Sequence, residues 1–319
     1  MTSEFNLIQK YFTRPTQCTD LGIGDDAALV QISPGHQLAI SADMSVVGTH
    51  FFQEATPYNI GWKSLAVNVS DMAAMGANPK WATLSIALPE IGEAWLAEFS
   101  RGLFTCADAF NIDLIGGDTA HGPLNIAIQI MGEIPIGKAL ARSGAKAGDD
   151  IWVSGNLGSA ALGLAHLQQN QTLDDVATQN ACLEALHTPQ PRINLGVALR
   201  ELAHSCIDIS DGLLADLGHI LKASKVGATI QLEAAPCLPV LKKRLDESAI
   251  QQAILAGGDD YELCFTAVPD MSDAILALSK TLNLDLTKIG QINTSNKLSV
   301  TLNKESVNLT QLGYDHFSS

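Results

Sequence analysis

Two carboxylates sit inside a glycine turn near the start of the chain: Gly22-Ile23-Gly24-Asp25-Asp26-Ala27, between a polar segment and the apolar run Ala28-Leu29-Val30. The spacing satisfies G-x-G-x-x-A, but such a fingerprint follows a strand, opens a helix and offers bare backbone N–H groups to a pyrophosphate. Two fixed negative charges beside an anion repel it by roughly 1 kcal/mol per pair in water and several-fold more at protein-like dielectric. A divalent cation between them reverses the sign. Taken alone, the stretch has two readings. It is an Asp-Gly turn joining two elements, or an acidic loop that collects metal ions, which in turn collect a polyphosphate.

With 319 residues the chain is long enough for two domains of ordinary size. Lys and Arg number 19 against 34 Asp and Glu, a formal charge of −15, so no basic face is offered to a nucleic-acid backbone or an anionic membrane. The six cysteines (Cys18, Cys106, Cys182, Cys206, Cys237 and Cys264) form no C-x-x-C pair and no cysteine-histidine cluster at zinc spacing, and read as reduced core residues. Residues Met1 to Arg14 place Phe5, Leu7, Ile8, Tyr11 and Phe12 on one face at helical spacing and lack the basic start of a signal peptide. No apolar run approaches the ~20 residues that span a bilayer. The expectation is a cytoplasmic α/β protein.

His36 to Asp43 reads as a strand with an acid at its C-terminal end, where open α/β sheets place ligands. Asn59 to Gly76 reads as a helix, apolar through Leu65, Val69, Met72 and Met75, with Ser64, Asn68 and Asp71 on one polar stripe. Its only charges are Lys63 and Asp71, so a helix buried on most sides leaves Asp71 in need of a partner. A strand at Trp81 to Leu88 and a helix from Ile91 to Phe110 follow. The next strand ends in Gly116-Gly117-Asp118, whose glycines permit close approach of a ligand. Asn125 to Glu133 is strand-like. Pro135 to Asp150 is the best candidate for a domain junction and carries Lys138 and Arg142, rare cations in this chain.

The second half opens with a strand, a glycine loop and a helix over Ile151 to Gln169, then a polar excursion over Gln168 to Asn180 and an amphipathic helix over Arg192 to His204. In Ile207-Asp208-Ile209-Ser210-Asp211-Gly212, strand alternation puts Asp208 and Ser210 on one side, and Asp211 is placed to cap the helix Leu213 to Ala223. Ala256-Gly257-Gly258-Asp259-Asp260-Tyr261-Glu262 leads into the strand Leu263 to Ala267. A glycine pair followed by aspartate thus occurs once in each half.

The chain has no G-x-x-x-x-G-K-[ST], kinase catalytic-loop set, G-x-S-x-G or H-E-x-x-H. What remains is carboxylates at expected element ends, and oxygen donors of this kind suit magnesium completed by substrate phosphates.

The segments Gly22 to Asp26, Asn68 to Pro79, Gly116 to Asp118, Arg142-Ser143-Gly144, Asp208 to Gly212, Gly257 to Leu263 and Gly313 to Phe317 together resemble the thiamine-monophosphate kinases, in order and over nearly the whole chain. That family shares a superfamily with aminoimidazole ribonucleotide synthetase, selenophosphate synthetase and a hydrogenase maturation factor. The resemblance implies a two-domain α/β fold like aminoimidazole ribonucleotide synthetase. Residues 1–137 would bind ATP and Mg²⁺ and form a homodimer through their sheet. Residues 138–319 would complete the active-site cleft. It further implies ATP-dependent phosphorylation of thiamine monophosphate to thiamine diphosphate, using several Mg²⁺ ions.

Carried over by position, the resemblance gives metal roles to Asp26, Ser41, Asp43, Asp71, Asp118, Asp208 and Asp211. It gives nucleotide contacts to Gly117, Asp118, Arg142 and Ser210, and acceptor contacts to His50, Asp259 and Tyr314, the last in preference to Phe317. Asp71, Asp118 and Arg142 would carry the transfer. Two positions depart from the family pattern: Ala42 stands where Thr is usual, and Asp259 where Glu is frequent. The rival readings are a sister synthetase of the same superfamily and a nucleotide-binding module without turnover. Cys18, in Thr16-Gln17-Cys18-Thr19-Asp20, lacks the glycine-rich setting of a selenophosphate synthetase.

Overall fold

A computed structural model describes residues 4–307, 309 and 312–314. The chain divides into two compact units, one of Met1–Met72 with Ala77–Gly137, the other of Ala73–Gly76 with Lys138–Ser319.

The first unit runs α1 (Glu4–Leu7), a π-helical turn (Ile8–Phe12), β1 (His36–Val46), α2 (Pro57–Ala74), β2 (Asn78–Leu88), α3 (Glu93–Phe110), β3 (Asp113–His121) and β4 (Asn125–Pro135), the last two residues of α2 counting with the second unit. Its four strands lie in the order β1-β4-β2-β3, antiparallel except for β2 with β3. Alternation decides the two faces. Ile126, Ile128 and Ile130 of β4 and Leu84 and Ile86 of β2 are buried, each contributing roughly 1.5–3 kcal/mol by leaving water. The opposite face carries Ile40 and Met44 of β1, 56% and 55% exposed, beside Gln129 of β4 and Ser85 of β2.

The second unit contains β5 (Asp150–Ser154), α4 (Ser159–Leu167), α5 (Val176–His187), α6 (Ile193–Leu199), β6 (Ser205–Asp208), α7 (Leu213–Ser224), β7 (Gly227–Gln231), α8 (Pro239–Lys242), α9 (Ser248–Ala256), β8 (Leu263–Ala267), a 3-10 turn (Pro269–Met271), α10 (Ser272–Leu282), β9 (Leu286–Asn293), β10 (Leu298–Leu302) and β11 (Glu305–Ser306). These form a mixed seven-stranded sheet, β11-β10-β7-β9-β5-β8-β6. Ile151 and Val153 of β5 join one core with Leu217 and Ile220 of α7. Trp152, between them in sequence, turns to a second core with Phe265, Leu195 and Ile275. Among the described residues no helix is long and apolar enough to cross a membrane.

Several expectations shift. The opening helix is a short α turn followed by a π turn; Leu7, Tyr11 and Phe12 are buried, but Phe5 is 79% exposed and lies off the buried face. Cys18 is exposed and Cys237 half-buried, so the cysteines are not uniformly core residues. The polar excursion contains the start of α5, capped by the Asp175 carboxylate, which accepts from the Thr178 amide at 2.8 Å. The helix expected over Arg192 to His204 is confined to α6. The Gly116-Gly117 pair lies within β3 rather than at its end. A Cβ on Gly117, at φ +144°, would stand 1.7 Å from the Leu84 carbonyl oxygen, so strand packing alone demands glycine there.

Candidate active site

In the first unit the polar stripe of α2 faces β1. The Ser41 hydroxyl donates to the Asp71 carboxylate at 2.5 Å, and the Asp43 amide donates to the Asn68 side-chain oxygen at 3.1 Å. Asn68 is 1% exposed and gives its other polar atom to the Ser64 carbonyl at 3.0 Å. An edge strand and a buried helix thus satisfy each other through side chains, which leaves Ser41, Asp43 and Asp71 together at one sheet edge. Three residues past Asp43, the Val46 amide donates to His50 Nδ1 at 3.1 Å, so the neutral ring carries its proton on Nε2.

The acidic turn has no strand before it and no helix after it, which rules out the dinucleotide fingerprint geometry. It is pinned at its base. The buried Asp113 carboxylate accepts from the amides of Gln17 and Cys18 and from the Thr19 hydroxyl, and Trp81 Nε1 donates to the Cys18 carbonyl at 3.0 Å. Paired backbone bonds between Leu21 and Leu29 close the turn, with Asp25 and Asp26 exposed between them.

Asp118 is exposed and stands elsewhere. Its register opposite Ser85, which itself pairs with Ala127, puts it on the open face of the sheet on β3. Ser41 and Asp43 pair with Ile130 and Ile128 on the buried face of β1, at the other edge. Within one copy of the sheet the two sets lie about three strand spacings apart, roughly 14 Å, and on opposite faces.

In the second unit, two loops are stitched together. Ile209 donates to the Glu262 carbonyl at 2.8 Å, Tyr261 donates back to the Ile209 carbonyl at 2.8 Å, and Asp259 donates to the Ser210 carbonyl at 2.9 Å. The Tyr314 amide donates to the Asp211 carbonyl at 3.0 Å. Asp208, Ser210, Asp211, Asp259 and Tyr314 are therefore brought into one neighbourhood. Phe317 lies outside the described residues. Since β6 ends at Asp208, Ser210 belongs to the loop and strand alternation does not relate the two. Arg142 is exposed on a loop held by Ser224, whose hydroxyl accepts from the Gly144 and Ala145 amides at 3.1 Å each and donates to the Arg142 carbonyl.

Asp211 does not cap α7. The Asp216 carboxylate reaches back from within the helix and accepts from the amides of Ser210, Asp211 and Gly212 at 3.0, 3.0 and 3.1 Å. Burial, and then the charge of Asp211, push its carboxyl up to about 7. The Asp260 carboxylate accepts from the Gly158 amide at 3.0 Å, and burial raises it well above the ordinary carboxylate range. Asp216, Asp260, Glu262 and Arg192 were not singled out in the sequence. Asp216 was legible as an acid in the first turn of an expected helix; the other three take their roles from long-range contacts.

The assigned donor set consists of carboxylate and hydroxyl oxygens, the chemistry a hard divalent cation takes. Among the described residues no three Asp, Glu, His or Cys side chains are grouped to hold a metal by themselves. Magnesium is commonly held by one or two carboxylates and completed by substrate phosphates and water, so partial donor sets such as Ser41 with Asp71 fit it.

Comparison with known proteins gives the family. The model described as AIR synthase related protein, N-terminal domain, matches residues 24–134, and its C-terminal counterpart matches residues 146–303. Thiamine-monophosphate kinase of Escherichia coli (strain K12) is 44% identical over 321 residues, covering 99% of this chain and 98% of that one. The crystal structure of thiamine-monophosphate kinase from Stenotrophomonas maltophilia K279a superposes with a TM-score of 0.84 at 46% identity, covering 91% of this chain and 92% of that one. A structure described as AaThiL complexed with AMPPCP and TMP gives 0.78 at 29% identity, covering 98% and 97%. On a two-domain AIR synthase related fold that both family models recognise, the chain belongs to the thiamine-monophosphate kinases, a family of phosphotransferases.

Proposed function

We propose that the chain transfers the γ-phosphate of ATP directly to the phosphate of thiamine monophosphate, giving thiamine diphosphate and ADP with no phosphoenzyme. The observation that carries this reading is the full-length match at 44% identity to a thiamine-monophosphate kinase. It is supported by the relative named as complexed with AMPPCP and TMP, and by the acidic segments quoted above, which run through both halves of the chain.

The acceptor is a phosphate monoester, largely ionised near neutral pH because its second pKa is about 6. No strong general base is required. The obstacle is repulsion between two polyanions. Arg142, exposed on its pinned loop, offers a fork of donors to phosphate oxygens. Asp26, Ser41, Asp43, Asp71, Asp118, Asp208 and Asp211 would hold magnesium, which when bound supplies the positive charge that offsets this repulsion. Gly117 and Ser210 would contact the nucleotide. His50, Asp259 and Tyr314 would orient the acceptor.

A homodimer through the first unit is part of the reading. The exposed Ile40 and Met44 on the open sheet face support it. A cytoplasmic enzyme fits substrates of this kind. The deciding assay is formation of thiamine diphosphate from thiamine monophosphate and ATP, with and without Mg²⁺, against a panel containing the substrates of the sister synthetases. ATP consumption only with one of those would replace the proposal, and binding of ATP without any turnover would reduce the chain to a nucleotide-binding module.

A further inference from the structure

The loop Gly257–Glu262 holds two non-glycine residues in left-handed backbone, Asp259 at φ +68° and Tyr261 at φ +49°. Such conformations cost free energy and persist where the surroundings over-determine them. Asp259 also accepts a hydrogen bond from the Tyr261 hydroxyl at 3.0 Å, so the loop presents one carboxylate in a fixed orientation. Backbone bonds from Asp259 and Tyr261 to the Ser210 and Ile209 carbonyls tie the middle of the loop, and the next residue, Glu262, anchors its end. Glu262 is 5% exposed and accepts from the Ser154 hydroxyl at 2.5 Å and from Arg192 Nε at 2.7 Å, with Arg192 Nη2 on its other oxygen. The Ser154 hydroxyl in turn accepts from the Leu263 amide at 2.9 Å. A Cβ on Gly155 would stand 1.9 Å from a Glu262 carboxylate oxygen, so the chain is shaped around this group. Arg192 precedes α6 and is itself only about a quarter exposed, at 26%. A bidentate guanidinium-carboxylate pair of this kind fixes geometry as well as charge.

We propose that Arg192 is a positioning residue for the phosphate acceptor. Through Glu262 it locks the end of the Gly257–Glu262 loop and so sets the direction of the Asp259 carboxylate. The proposal rests on the reading of Asp259 as an acceptor contact. The neighbouring Ser210–Gly212 loop, tied to this one by the Asp259 amide on the Ser210 carbonyl, has a further support of its own in the three amide bonds to Asp216. The two supports therefore divide the site: Arg192 serves the acceptor and Asp216 the nucleotide.

That division is measurable. In Arg192→Met the KM for thiamine monophosphate rises on the order of ten- to a hundredfold, the scale of a misplaced contact, while the KM for ATP stays near the parent value. Arg192→Lys restores part of it, and Asp216→Ala shows the reverse pattern. Hydrogen exchange supplies a readout independent of turnover, with amides of residues 257–261 losing protection in folded Arg192→Met. Where the unpaired Glu262 prevents folding, the double variant Arg192→Met with Glu262→Gln removes the buried charge and is measured in its place. Equal rises in both KM values, or unchanged protection at 257–261, overturn the proposal. Should the parent enzyme not phosphorylate thiamine monophosphate, the functional reading fails, and the exchange experiment still decides whether Arg192 holds the loop.

Discussion

The Ser41 hydroxyl stands 2.5 Å from the Asp71 carboxylate and donates to it, linking the edge strand of the first unit to the one acid on a mostly buried helix. A hydroxyl that donates to one carboxylate oxygen orients the other, and hydrogen bonds to charged groups contribute about 1.5–3 kcal/mol. Ser41→Ala is expected to raise the Mg²⁺ concentration needed for half-maximal activity by roughly tenfold while leaving the fold intact. Asp71→Asn removes the charge itself and is expected to abolish transfer. A magnesium titration at saturating ATP checks both, and an Asp71→Asn enzyme with parent-like turnover excludes Asp71 from the metal set.

Gly117 carries two possible roles, nucleotide contact and strand packing, and one substitution separates them. A Cβ there would meet the Leu84 carbonyl oxygen at 1.7 Å, so Gly117→Ala must displace β3 from β2. The expected cost is on the order of 3 kcal/mol, in the range of overpacked sites. Urea unfolding reads it directly. Lost activity with unchanged stability would assign the glycine to the ligand instead.

Periodicity carried much of the fold into view. The alternation in His36 to Asp43 and Asn125 to Glu133 and the stripe of Ser64, Asn68 and Asp71 depend on local spacing, and β1, β4 and α2 appear there. The need of Asp71 for a partner was also legible, because a nearly uncharged helix leaves its single carboxylate nowhere else to go. Local pattern does not report contacts distant in sequence. Glu262 meets Ser154 and Arg192 across 108 and 70 residues, and no spacing in the chain announces that. Position before α7 offers Asp211 a capping role beside the metal one, yet the helix has no side-chain cap, and Asp216 reaches out from inside it to the amides of Ser210, Asp211 and Gly212.

The open face of the four-stranded sheet gives a test of assembly. Ile40 and Met44 flank Ala42 on one face of β1 and are each more than half exposed, an arrangement that buries readily against a second copy. Ile40→Glu with Met44→Glu is expected to convert a dimer to a monomer in light scattering after size exclusion, with circular dichroism unchanged. A parent protein that is monomeric at all concentrations removes the dimer from the functional reading.

The Asp260 carboxylate accepts from the Gly158 amide at 3.0 Å and is held well above the ordinary carboxylate range, first by burial. A buried acid that keeps its proton in the folded state binds more protons there than in the unfolded chain at the same pH. Its contribution to stability is complete below the ordinary carboxylate range and declines as pH rises above it, because the unfolded chain ionises first. Replacement by Asn keeps a carbonyl oxygen for the Gly158 amide and removes the titration. Asp260→Asn is therefore expected to be more stable than the parent at neutral pH, with the difference shrinking as the pH is lowered toward 4. Urea midpoints collected for both proteins from acidic to neutral pH check it. Parallel curves with a constant offset would show that the carboxyl titrates alike in both states, and a variant less stable at neutral pH would show that its charge is held by the fold.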